Sequence, residues 1–241
     1  MRAFFSLVAL LLLAPPLSAT IVTVEANDTS GFSYFNGDDL NFGVTVLLGT
    51  FQTADGTALS DQAIRQNAEN FNSLLANFTQ FSTTGGQIGN GSPNRGELSV
   101  ELSGSTAGSP GLAGKQIYYF VISGTNNSTV AASIATANQI GVFYLDRAAL
   151  SSWAFPSDGA IPNTTTVDIA DLTIGNLGVT LKAGARVVLG SFGPDNSNAH
   201  AGAKNFGLVF IPEPSTGALF ALAAGGLLGV RRCRGRRDGA E

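Results

Sequence analysis

The sequence predicts a mainly β domain, an antiparallel β-sandwich with one amphipathic helix, set between two apolar terminal segments. Three observations carry this. Eight short runs rich in Val, Ile, Tyr and Phe are bounded by Gly, Asn, Pro or Asp. Only one segment has helical periodicity. The charged fraction is low at 12% while Gly is abundant at 30 residues, as expected for strands joined by tight turns.

The first element is an export signal over residues 1–19. Arg2, the apolar run 3–14 and the small residues around Ser18-Ala19 read as n-region, h-region and cleavage site, so the mature chain is expected to begin near Thr20. A β-rich extracytoplasmic domain over residues 20–210 follows, large enough for one core. It holds fourteen Asp/Glu against seven Lys/Arg, a net charge of about −7. Such a surface repels phosphate backbones, so nucleic acid is not an expected partner. The single cysteine, Cys233, lies outside the domain, whose stability must therefore come from burial and backbone pairing.

Strands are predicted over 21–25, 41–51, 97–102, 116–123, 139–146, 165–174, 186–192 and 205–210. Tyr118 and Phe120 fall on one face and Tyr119 on the other, so this strand should be buried on both sides. The helix is predicted over 60–82, because Ile64, Ala68, Phe71, Leu75 and Phe78 recur at helical spacing. Ser60 can cap its start, and Gly85-Gly86 follows its end. Packing on a sheet explains its apolar face, since its polar face is rich in Gln and Asn instead of basic residues. Eight strands with one helix favour a sandwich over alternating βαβ units. The phrases Val46-Leu47-Leu48-Gly49-Thr50-Phe51 and Val187-Val188-Leu189-Gly190-Ser191-Phe192 read equally as a duplicated hairpin or as coincidence.

The search for chemistry yields little: no catalytic residue, metal site or cofactor is expected. His200 is the single histidine, so multi-His metal sites are excluded, and no Gly-x-Ser-x-Gly elbow accompanies it. The stretch 111–116 fails the phosphate-loop pattern, with Ser109 in place of its first glycine and Gln116 in place of its Ser/Thr. Three carboxylate pairs offer glycoside hydrolysis a start: Glu97 with Glu101, Asp38 with Asp39, and Asp168 with Asp171. Glu97 and Glu101 read first as a solvated strand face opposite Leu98, Val100 and Leu102. Asp38-Asp39 follows Asn36-Gly37 and reads as a turn, without the alternating ligands of a calcium loop. Trp153 is a possible sugar platform but reads first as a core or loop anchor. Asn-x-Ser/Thr occurs at Asn27, Asn77, Asn126, Asn127 and Asn163, all read as exposed turns.

The last segment directs traffic. Ile211-Pro212-Glu213-Pro214-Ser215 precedes an apolar stretch over 217–230, followed by Arg231, Arg232, Arg234, Arg236 and Arg237. Five cations within seven residues do not cross a bilayer cheaply, so the stretch reads as a transmembrane helix with a cytoplasmic stop behind it. A Pro-Glu-Pro motif, a Gly/Ala/Leu-rich helix and a terminal Arg cluster resemble the PEP-CTERM sorting signal of Gram-negative bacteria, here over residues 211–237. The resemblance implies recognition at Pro212, Glu213 and Pro214 by the membrane protease exosortase. It also implies an inner-membrane intermediate, then delivery to the cell surface or exopolysaccharide matrix. The expectation is a structural or adhesive, non-enzymatic surface protein with exopolysaccharide as a further partner. The alternatives are a carbohydrate-binding module or a carboxylate-based glycan hydrolase.

Overall fold

The computed structural model describes residues 19–26, 31–89, 94–107, 110–158, 163–174, 179–194 and 204–211. The export signal up to residue 18, Asn27, His200, the sorting motif Pro212-Glu213-Pro214, the apolar stretch 217–230 and the Arg cluster lie outside them. Among the described residues no helix is long and apolar enough to cross a membrane.

The strands in chain order are β1 Thr20–Ala26, β2 Phe32–Ser33, β3 Thr45–Phe51, β4 Phe78–Gln80, β5 Gly86–Gln87, β6 Leu98–Gly104, β7 Tyr118–Gly124 and β8 Ala137–Leu145. Then come β9 Thr164–Asp168, β10 Thr173–Ile174, β11 Thr180–Leu181, β12 Ala185–Leu189, β13 Ser191–Pro194, β14 Lys204–Gly207 and β15 Val209–Phe210. The helices are α1 Asp61–Asn67, α2 Phe71–Ala76 and α3 Val130–Ala135.

A seven-stranded antiparallel sheet forms the middle layer, in the order β12-β8-β7-β3-β4, with β15 on β8 and β5 on β3. Its central strands bury both faces, which is why they read as unbroken apolar runs. Period-2 alternation divides them between two cores. Val46, Leu48, Tyr119, Val121, Phe143 and Leu145 meet Val22, Val24, Leu98, Leu102 and Val167 from the small sheet β6-β1-β9. Leu47, Phe51, Tyr118, Phe120, Ile122, Ile140 and Val142 meet Ile64, Ala68 and Leu74 from the helices. In β1 only alternate residues are buried, the mark of a strand with one face on the core.

Three expectations are corrected. The helix over 60–82 is not continuous. Ser60 caps α1 as expected, its Oγ accepting from the Ala63 amide at 3.2 Å, but Asn70 ends the run by accepting from the amides of Asn72 and Ser73 at 3.0 and 3.3 Å. Asparagine gains more as a cap than in a helix interior. The restart moves Leu74 into the fully buried position, leaving Phe71 and Leu75 partly buried, and Phe78 joins a strand. Among the described residues the expected single helix thus gives way to three α-helices, α3 being the one without an apolar repeat in the sequence. Thr129 caps α3 by accepting from the Ala132 amide at 3.1 Å, and six residues are too few to display a periodicity. The pairing is not wholly antiparallel either: β1 runs parallel to β9, and β14 parallel to β2.

The repeated phrase is not a duplicated hairpin. Gly49 lies inside β3, where a Cβ would strike the Phe78 ring and the Thr79 carbonyl. Gly190 has φ 116° and lies between β12 and β13, where the chain leaves the middle sheet for another. One glycine admits a neighbouring strand, and the other turns a corner.

Candidate functional site

The carboxylate pairs come apart in three dimensions. β6 begins at Leu98, so Glu97 belongs to the preceding turn. It is only 3% exposed and accepts from Asn94 Nδ2 at 2.9 Å, whereas Glu101 points to solvent. The expected shared solvated face is therefore corrected. Asp168 caps a 3-10 turn by accepting from the Ala170 amide at 3.0 Å, and Asp171 accepts the Trp153 indole N–H at 3.0 Å. Trp153 is fully buried and packs edge-on against Tyr119, with centroids 5.5 Å apart. It is a core anchor and offers no platform. Asp38 closes the Asn36-Gly37 turn through Asn36, and Asp39 accepts from Asn205 Nδ2 at 3.1 Å.

Other polar candidates are also structural. Lys115, at the failed phosphate loop, donates to the Gly56 carbonyl at 2.7 Å. Asn126 is exposed as expected, but the amide groups of Asn77, Asn127 and Asn163 donate to Ser73, Gly124 and Ala19 carbonyls. Among the described residues no group of three or more His, Cys, Asp or Glu converges as a metal site would require.

Among the described residues a cleft of about 260 Å³ lies between the turn at residues 33–37 and the β13–β14 pair, lined by Ser33, Tyr34, Phe35, Asn36, Ser191 and Asn205 among others. Asn205 builds its floor. It is 1% exposed, its Oδ1 accepts from the Gly31 amide at 3.0 Å, and its Nδ2 reaches Asp39. The turn is held by Tyr34 N–H to the Asp38 carbonyl at 2.8 Å and by Gly37 N–H to the Tyr34 carbonyl at 2.9 Å. The Phe35 amide donates to Gln139 Oε1 on β8 at 3.3 Å, which fixes the turn against the middle sheet and leaves the Phe35 ring outside. That ring packs on Phe210 with centroids 4.4 Å apart, yet the two stay 56% and 53% exposed. Among the described residues the lining is uncharged, with hydroxyl and amide groups beside the Phe35 ring.

No local pattern marks this pair, since 35 and 210 meet only because the chain switches sheets between β14 and β15. A second unforeseen node is Asp158. It accepts from the hydroxyls of Thr20, Ser105 and Thr106 at 2.9, 2.6 and 2.7 Å, and from the amides of Thr106 and Ala107 at 2.8 and 3.1 Å. Desolvation pushes its pKa up, but the bonds from Ser105, Thr106 and Ala107 outweigh it and hold the carboxyl well below the usual carboxylate range.

The last described strand leads directly into the C-terminal motif. Residues 210–237 match the PEP-CTERM protein-sorting motif, so the match begins at Phe210, the final residue of β15. The chain thus carries this sorting signal, which implies export, exosortase as processing partner and a membrane-associated sorting intermediate. No curated protein and no solved structure matches the chain.

Proposed function

We propose that this is an exosortase-processed protein of the cell surface or extracellular matrix, whose β-rich domain plays a structural or adhesive part in the envelope or exopolysaccharide and catalyses no reaction. The observation that carries it is the sorting motif beginning at the last residue of β15. The engagement of Glu97, Asp39, Asp168 and Asp171 with structural donors supports a non-enzymatic domain. In this reading Pro212, Glu213 and Pro214 are recognised as an extended segment, because the prolines exclude helix there. Residues 217–230 span the inner membrane, and Arg231, Arg232, Arg234, Arg236 and Arg237 stay on its cytoplasmic side. In a host with exosortase, mass spectrometry of the surface fraction should find protein without residues beyond 217. Glu213→Ala or Pro214→Ala should accumulate a longer, membrane-bound form. An intact C-terminus on released protein would refute the proposal.

A carbohydrate-binding role is the second reading, favoured by the exposed Phe35 ring beside Tyr34 and Asn36 in the cleft. Calorimetric titration with oligosaccharides from the host matrix would show saturable binding, lost in Phe35→Ala. No heat with any of them would exclude it.

A further inference from the structure

Among the described residues five large hydrophobic side chains are exposed, and three of them are phenylalanines: Phe35 at 56%, Phe42 at 54% and Phe210 at 53%. Strand register gathers these three at one end of the middle sheet. Phe210 pairs with Gln139, Gln139 with Ser123, and the neighbouring Ile122 with Thr45 at the start of β3. Phe42 lies in the loop that enters β3 at that same end, and Phe35 packs on Phe210. A soluble domain gains nothing by leaving three aromatic rings in water at one end, so the patch marks a contact.

The chain itself says where that contact lies. β15 is held to β8 through Phe210, and the Ile211 amide still donates to the Asn138 carbonyl at 2.9 Å. The apolar stretch begins at Gly217. Six residues reach at most about 20 Å even when fully extended. While the C-terminal segment is in the membrane, the Phe210 end of the domain is therefore tethered close to the bilayer. The far end of β3 lies about 20 Å further out, at about 3.3 Å per residue.

We propose that Phe35, Phe42 and Phe210 form a lipid-contacting patch that inserts into the outer face of the inner membrane before the sorting signal is cut. This rests on the reading of residues 217–230 as membrane-inserted. The insertion is apolar in character, because the exposed Asp38 beside the patch offers nothing to anionic headgroups. Zwitterionic lipid suffices, and salt leaves the contact in place. Seated this way, the domain holds Pro212-Glu213-Pro214 at a fixed depth beside the membrane, and cutting the signal releases the patch with the domain.

The test uses the full chain carrying its C-terminal signal, with Cys233→Ser and one new cysteine bearing an environment-sensitive fluorophore. Asn41→Cys places the label next to Phe42, and Ala54→Cys places it in the turn beyond the opposite end of β3. Both proteins are reconstituted into phosphatidylcholine vesicles containing brominated lipid. The label at 41 should shift to the blue and lose most of its emission, the label at 54 should be unaffected, and Phe35→Ser with Phe210→Ser should abolish the effect at 41. Co-flotation with vesicles but no quenching at 41, or equal quenching at both positions, would overturn the patch and leave the membrane-inserted signal intact. A blue shift at 41 that appears only once exosortase is added, with no quenching by the brominated lipid, would assign the patch to the protease and likewise overturn lipid contact. Failure of the chain to float with vesicles would defeat the membrane reading together with the patch.

Discussion

The indole N–H of Trp153 donates to the carboxylate of Asp171 at 3.0 Å, so two residues with separate functional promise in the sequence turn out to be each other's partners. Asp171→Ala leaves a donor on a fully buried ring without its acceptor, at an expected cost of about 1–3 kcal/mol. Asp171→Asn keeps an acceptor oxygen and should cost less. Denaturant unfolding followed by the fluorescence of Trp153, the single tryptophan, measures both. Its emission should be inaccessible to acrylamide and unmoved by oligosaccharides. Equal stability of Asp171→Ala and the parent would show that the bond contributes nothing.

The broken helix makes a prediction opposite to the one its spacing suggests. Leu74 is fully buried, so Leu74→Ala should cost about 2–5 kcal/mol. Phe71 is only partly buried, its ring centroid 6.4 Å from that of Phe120, so Phe71→Ala should cost clearly less despite the larger side chain removed. A larger loss at Phe71 would mean that its ring, and not Leu74, is the buried anchor of this segment.

What was legible follows from how far each signal reaches. The runs in β3, β7 and β8 were readable because a strand covered on both faces is apolar at every position. The alternate placement of Tyr118, Tyr119 and Phe120 followed from the pleat alone. The break at Asn70 was not readable, because apolar spacing carries on across a residue whose capping preference is a local side-chain effect. Glu97 was misplaced by one residue of strand boundary, which is enough to exchange a solvated face for a buried turn. The Phe35–Phe210 contact depends on a switch between two sheets, and no local pattern encodes that.

Glu97 and Glu101 should now respond differently to the same change. Glu97→Gln keeps one acceptor oxygen for Asn94 but removes the charge that strengthens the bond and adds a buried NH2 that needs a partner, and should cost about 1–3 kcal/mol. Glu101→Gln, on the exposed side of β6, should stay within about 0.5 kcal/mol. Thermal unfolding of the two variants side by side makes the comparison. Glycan hydrolysis by the parent that either substitution abolishes would contradict the non-enzymatic reading.

Asp158 should give the domain an acid-sensitive joint between its first strand and the 105–107 loop. Desolvation opposes its ionisation, but the donors from Ser105, Thr106 and Ala107 prevail, and the folded-state pKa falls below the ordinary value of 3.8. A pKa lower in the folded than in the unfolded chain contributes stability that is complete above the unfolded value and lost as pH falls through the folded one. Asp158→Asn should therefore be less stable than the parent at neutral pH, with the gap narrowing below about pH 4, where the unfolded parent takes up a proton, until the folded carboxyl is protonated in turn. Asp158 is only partly buried, so solvent screening makes the gap smaller than a fully buried group would give. Denaturation midpoints of both proteins at neutral pH and at about pH 2 decide the matter. A gap that stays constant would mean that the Thr20, Ser105 and Thr106 contacts hold the joint by packing, with no contribution from the charge.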